Sequence, residues 1–433
     1  MSSLAPTAAL DSAALPQTVR DIVFDTPVFD IHTHLYPASF RQLSLWGIDE
    51  LVNYHYLIAE TFRSSSVKAP QFWQMTKQEQ ADLIWETLFV KNTPVSEACR
   101  GVVRVMNDFG LDPNAPTLTK ARDFFASRTA AGHIDDVLRR ANVTDVVMTN
   151  DIFDKTEAGI WKEEPERNPR YHAVLRMDPL LNNWQAAHLA ISSDGYPADA
   201  VIDTPTLTSV RKFLDAWIQR LKPLYLAVSL PPTLAYPDES QRSRLLNEIV
   251  LPTCRAHNLP FSMMIGVRKQ ANPALRDAGD AVGHANIQAV ERICLDHPDN
   301  RFLVSMLSRE NQHELCVSAR KFNNLMPFGC WWFLNNPSIV SEITDERLEM
   351  LGTSFIPQHS DARILDQLIY KWQHSRLWIS EALVRAYAAL MRDGWKLTAE
   401  QIRRDVQRMF QDNFRQFAGL PEYAPQQGKT ATR

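Results

Sequence analysis

The stretch Pro27-Val28-Phe29-Asp30-Ile31-His32-Thr33-His34-Leu35 reads as a short apolar strand that ends in two histidines. Alternate side chains of an extended strand share one face, so the two imidazoles lie roughly 6–7 Å apart at Cα and can converge on one cation. The competing reading is two histidines exposed at a loop edge. The run Val28-Phe29-Ile31 argues against it, because it marks a buried strand leading straight to His32 and His34. A His-x-His pair at such a place is half of a metal site.

Working outward, apolar strand-like runs recur at Val143–Thr149, His172–Met177, Leu224–Leu230, Pro260–Val267, Arg301–Leu307, Met326–Phe333 and Thr353–Gln358, which with Val28–His34 make eight. Most are followed by a segment of helical period, as in Ser240–His257, Ala285–Asp296, Asn311–Phe322 and Pro337–Leu351. Alternating buried strands and helical crossovers indicate an α/β fold, and eight such units over roughly 330 residues predict a distorted (β/α)8 TIM barrel. An open doubly wound sheet is the alternative, because periodicity does not show closure. No Gly-x-Gly-x-x-Gly follows a strand, which weakens a dinucleotide-binding reading.

The interval between the first two strands is too long for a structureless loop. Residues 36–142 carry helical patterns at Asp49–Ser64, Lys77–Phe89 and Glu97–Phe109, and are expected to form a helical insertion on the C-terminal face of the barrel. Extra helices are expected over Ala362–Arg392 and Thr398–Phe417. The chain thus reads as one barrel domain over 1–420 and a polar tail over 421–433 that is expected to be disordered.

The 433 residues are 45% hydrophobic and 22% charged, enough for a large core. A formal net charge of −4 from 46 basic and 50 acidic residues, well mixed, offers no patch for nucleic acid or an anionic membrane. Five widely spaced cysteines (Cys99, Cys254, Cys294, Cys316, Cys330) without a C-x-x-C suggest neither a disulfide framework nor a thiolate zinc site. The start, Met1 to Pro16, lacks the pattern of an export signal, and no apolar run is long enough to span a membrane. A reducing cytoplasm is the expected compartment, and a homo-oligomer is compatible with this composition.

In a barrel the chemistry sits at the strand ends. The eighth strand leads into Gln358-His359-Ser360-Asp361-Ala362-Arg363, where Asp361 would complete a site of two imidazoles and one carboxylate with a position left open. Asp361 could also be a helix N-cap, and the two roles are compatible. The fourth, fifth and sixth strands end without a histidine, so one metal at most is expected. Arg176 at the third strand end and Arg363 next to Asp361 suit a ligand carrying a carboxylate or many hydroxyls; Arg309 is a weaker third candidate, and each could instead be a structural ion-pair partner. His359, and the Trp331-Trp332 pair, are further candidates for substrate contact, with one indole expected to face the barrel mouth and the other outward. In the insertion, Asn53-Tyr54-His55-Tyr56 packs three polar rings into one helical turn.

Taken together, Asp30–Leu35, Asp49–Glu60, Leu175–Leu180, Met306–Leu315, Phe328–Phe333 and Gly352–Arg363 resemble the uronate isomerases, the glucuronate/galacturonate isomerase family of the metal-dependent amidohydrolase superfamily. The resemblance implies a distorted barrel with added helices, and a divalent metal, usually zinc, on His32, His34 and Asp361. It implies that His55, Tyr56, Arg176 and Arg363 line the site of a sugar acid. Where the more familiar branch of the family reads Thr-Asp-Ser-Arg, this chain has Ser360-Asp361-Ala362-Arg363, as in a shorter branch. The implied activity interconverts aldose and ketose hexuronates through an enediol(ate), D-glucuronate to D-fructuronate and D-galacturonate to D-tagaturonate. Asp361 and Tyr56 are then the expected acid/base groups, the Tyr56 phenol acidified by a neighbouring cation, with His55 orienting and the two arginines taking the carboxylate or oxyanion. A metal-dependent hydrolase or decarboxylase of a small carboxylated substrate is the main rival on the same fold.

Overall fold

The computed structural model describes residues 9–424. Seven parallel strands lie in the order β1 (Val28–Thr33), β2 (Val143–Asp151), β3 (Tyr171–Arg176), β4 (Leu226–Leu230), β5 (Phe261–Ile265), β8 (Phe302–Met306), β9 (Leu325–Pro327). Between β5 and β8 a small antiparallel pair, β6 (Val267–Arg268) and β7 (Ala281–Val282), forms a separate hairpin. The period of two along the parallel strands sorts their side chains into two apolar layers. Val147, Val174, Ala227, Met264 and Leu303, one from each of five strands, meet with Phe29 and Ile31 in the barrel interior. Their neighbours Val146, Leu175, Val228, Met263 and Val304 join the larger core against the surrounding helices. Each buried Val, Leu, Ile, Phe or Met among them contributes about 1.5–3 kcal/mol, which is why both faces of these strands are apolar.

The eighth strand is vestigial. Thr353–Gln358 makes a single parallel bridge, Phe328 to Ile356, and the ladder goes no further between Pro327 and Pro357, neither of which has an N–H to give. Closure onto β1 comes from two backbone bonds instead, Asp361 N–H to the His32 carbonyl at 3.1 Å and His34 N–H to the Ala362 carbonyl at 2.8 Å. The barrel is therefore distorted where the candidate ligands sit. The expected seventh strand Met326–Phe333 is likewise shortened to Leu325–Pro327, because the chain turns at Gly329 (φ 66°).

Between β1 and β2 the chain is helical. Its helix His55–Ser64 packs on the segment Pro273–Gly279 between β6 and β7. Trp73 Nε1 donates to the Ala274 carbonyl at 2.9 Å, and Arg276 stands over the Trp73 ring at 4.3 Å. The helix expected over Asp49–Ser64 is two pieces, Ile48–Val52 and His55–Ser64, broken at the extended Tyr54. The helix expected from Ala362 begins at Gln367, since 361–366 are spent on closing the barrel. Residues 421–424 carry no helix or strand; the rest of the tail, 425–433, lies outside the described residues.

Candidate active site

His32 and His34 reach the mouth through a break in strand regularity. Strict alternation would put Asp30, His32 and His34 on one face, but the β1/β2 register shifts between Asp30 and Thr33. Such an irregularity re-aims a side chain: Asp30 faces the helix Gln367–Arg392, while His32 and His34 line the mouth cleft. Their Nε2 atoms lie 3.6 and 3.3 Å from Asp361 Oδ1, and the ligand atoms of the three residues are all within 4.8 Å of one another. Among the described residues no further His, Cys, Asp or Glu joins them.

Asp361 sits in the left-handed region (φ 49°), unusual outside glycine, and its neighbours hold it there. Asp30, fully buried inside β1, accepts from Ser360 N–H (3.0 Å) and from Trp372 Nε1 (2.8 Å). Lys371 Nζ donates to the Ser360 carbonyl at 2.7 Å. Behind β1, the Tyr225 hydroxyl donates to the Ile31 carbonyl at 2.7 Å. The ligand loop is thus clamped on both sides of Asp361. Sequence reasoning missed Asp30, Lys371 and Trp372; the signal for Asp30 was a carboxylate in an otherwise apolar strand.

The charge states suit a cation. Burial pushes His34 down to about 4 and His32 well below its ordinary value, so both imidazoles are neutral near pH 7 with lone pairs to offer. Burial alone would raise the Asp361 carboxyl, but the His34 contact, and the charge of His34, His32 and His359 whenever they hold a proton, outweigh it and hold Asp361 below the usual carboxylate range. Asp361 Oδ1 is buried and has no hydrogen-bond partner. An unpaired buried carboxylate oxygen between two neutral imidazoles fits a divalent cation, since leaving it bare costs free energy.

The cleft above holds about 510 Å³ of empty space, part of it open to solvent. Its walls come from strand ends and from the loops that follow: Thr149, Arg176, Ser229, Lys269 and Arg363 supply the polar groups outside the metal cluster. Arg176 is paired with Asp178, whose other oxygen accepts from Ser229 N–H at 2.9 Å. Arg363 makes no ion pair and no side-chain hydrogen bond among the described residues, so its guanidinium is free for a ligand anion. Lys269, missed in the sequence because it lies in the hairpin after β5, is paired with Asp280 and stands 5.8 Å from the Trp332 ring.

Five expectations need correction. Trp331 and Trp332 both line the cleft, because the strand has already ended and Trp332 opens a turn with φ 47°. Arg309 is exposed and held by Glu342 at 3.0 Å, away from the cleft. His359 lies behind the metal cluster, 5.1 Å from the His32 ring, buried with both nitrogens unpaired, and does not line the cleft. The Tyr56 phenol is not acidified: burial, then Tyr54 and Asp361, push it well above its ordinary value, and Arg363 does not offset them. His55 and Tyr56 stand one layer back, His55 edge-on to Trp332 at 5.7 Å with an unpaired, buried Nε2, and Tyr56 stacked near Phe333.

Gly329 makes room for this arrangement. A Cβ there would lie 1.9 Å from His359 Cδ2, at a φ that L-residues rarely adopt. Gly329→Ala is expected to destabilise the fold by about 2–4 kcal/mol and to weaken metal retention by displacing the ring beside His32. Urea unfolding and metal content of the purified variant measure both; a midpoint equal to wild type would contradict the packing.

A distorted barrel whose mouth brings together two strand-end histidines, one strand-end aspartate and an arginine-lined cleft is a (β/α)8 protein with a candidate metal site. Among solved structures, a uronate isomerase from Bacillus halodurans C-125 matches at 50% identity over 96% of this chain and 98% of its own, with a TM-score of 0.94. The chain belongs to the uronate isomerase family. A glucuronate isomerase from Caulobacter crescentus (TM-score 0.75, 15% identity, 97% of each chain) and a uronate isomerase from Thermotoga maritima (TM-score 0.73, 14% identity, 93% and 97%) share the fold. No family model matches the sequence, and no curated protein matches it.

Proposed function

We propose that this protein is an enzyme that interconverts aldose and ketose hexuronates, D-glucuronate with D-fructuronate and D-galacturonate with D-tagaturonate. The observation that carries the reading is Asp361, its buried Oδ1 without a hydrogen bond between His32 and His34, beside a cleft whose polar walls include Arg176, Arg363 and Lys269. A base within a cation-lined pocket is what proton abstraction next to a carbonyl requires, and no redox cofactor is needed. His32, His34 and Asp361 would hold one divalent cation, zinc by the chemistry of two imidazoles and a carboxylate, which when bound supplies positive charge to polarise sugar oxygens. Five unpaired, buried cysteines suit a reducing cytoplasm.

Asp361 takes the C2 proton of the opened sugar and delivers a proton, exchangeable with solvent, to C1, while the O2 hydroxyl proton passes to O1. Arg363, free of protein partners, binds the substrate carboxylate, and Arg176, fixed by Asp178, faces the developing oxyanion. Trp331 and Trp332 supply an apolar wall for the carbon skeleton. Tyr56 keeps its proton and acts as a donor through the layer behind His55. Tyr56→Phe is expected to lower kcat about 10–100-fold with KM changed little; turnover within a few-fold of wild type removes Tyr56 from the mechanism.

Proton NMR of the protein with D-glucuronate and D-galacturonate in D2O tests the assignment. The expected result is loss of the C2–H signal and appearance of ketose labelled at C1. Substrate left unchanged with its C2–H intact would overturn it.

A further inference from the structure

A second cleft lies on the outside of the barrel, among the helices Leu15–Asp25, Glu97–Asp108 and Gln367–Arg392, and shares no lining residue with the mouth. It holds about 730 Å³ of empty space, part of it open to solvent. Arg20, Arg100 and Arg104 face it, Phe24, Leu377 and Trp378 form an apolar wall, and no Asp or Glu lines it. The nearest carboxylate to Arg104 is Asp108 at 3.6 Å, and Asp108 is held more closely by Arg140 at 2.9 Å. Glu97, on the same helix, accepts from the Tyr370 hydroxyl at 2.7 Å.

The cleft also gathers polar atoms with nothing to bind. His374 is only 6% exposed, yet its Nε2 has no partner, and the buried Arg104 Nε and Trp378 Nε1 have none either. Unpaired buried donors cost about 1–3 kcal/mol each, so the two on Arg104 and Trp378 favour a ligand with oxygen acceptors. Burial and then Arg100 push His374 down to about 4, so its ring is neutral and its bare Nε2 can accept from a ligand hydroxyl.

We propose that this outer cleft binds a phosphate monoester, its oxyanion held by Arg100, Arg104 and the Trp378 indole N–H and its carbon skeleton against the Phe24, Leu377 and Trp378 wall. A phosphate monoester carries about 1.5–2 negative charges at pH 7 and matches guanidinium forks in bidentate fashion, whereas a single carboxylate would leave most of the cationic charge unmet. The proposal does not depend on the reaction at the mouth.

Calorimetric titration of the full chain with glycerol 3-phosphate, inorganic phosphate and succinate tests it. Glycerol 3-phosphate is expected to saturate with a Kd below about 1 mM, weakened at least about ten-fold in R100Q/R104Q and several-fold in W378F. Hexuronate turnover and the thermal midpoint of these variants should stay near wild type; if R100Q/R104Q loses its fold, W378F, which removes one donor and keeps the wall, decides. No saturation by roughly 20 mM, equal binding in the variants, or succinate binding as tightly as glycerol 3-phosphate overturns the proposal.

Discussion

Asp361→Asn is expected to lower kcat on D-glucuronate by about 10³-fold or more, and to reduce bound metal below one equivalent. Two roles meet in the one carboxylate. Its Oδ1 faces His32 and His34, where a neutral amide contributes a weaker ligand and a wrongly placed N–H. The same group is the one ionised carboxylate in the lining of the mouth cleft, so its loss also removes the base. The fold should survive, because the barrel closes through the Asp361 backbone N–H and not through the side chain. Steady-state rates, metal analysis and a thermal melt on the same preparation separate these effects. A variant that keeps a tenth of the wild-type kcat would deny Asp361 the role of base.

The mouth was legible in sequence where chemistry lies at strand ends. His32, His34, Asp361, Arg176 and Arg363 were all found by asking what each apolar run leads into, and all five line one cleft. What sequence could not give was geometry set by departures from regularity. The register shift after Asp30 separates its side chain from the histidines, although period two would keep the three together. Pro327 and Pro357 cut short the last two strands, and with the strand ended, alternation no longer governed Trp331 and Trp332. Arg309 followed a strand as Arg176 does, but a carboxylate on a later helix, Glu342, claimed it. Lys269 was invisible because a two-residue hairpin strand carries no periodic signal. Tyr56 was assigned a lowered phenol from its cationic neighbours, whereas its burial, knowable only from packing, prevails.

Arg363→Met is expected to lower kcat/KM on hexuronates by about 10²-fold, chiefly through KM, while leaving the thermal midpoint within about 2 °C of wild type. The contrast with Arg176 gives this prediction its edge. Arg363 has no carboxylate partner among the described residues, so removing its charge strands nothing in the protein. A charge-assisted bond to the substrate carboxylate is worth about 1.5–3 kcal/mol, and that is the quantity lost. Arg176→Met instead leaves Asp178 without its partner, tied to Ser229 N–H at the end of β4. Breaking a partly buried pair from one side destabilises the fold as well as the reaction, so Arg176→Met should lower both kcat and the melting midpoint. If Arg363→Met melts early while Arg176→Met does not, the two arginines have been given each other's roles. If Arg363→Met keeps kcat/KM within a few-fold of wild type, the substrate carboxylate lies elsewhere in the cleft, with Lys269 next in line.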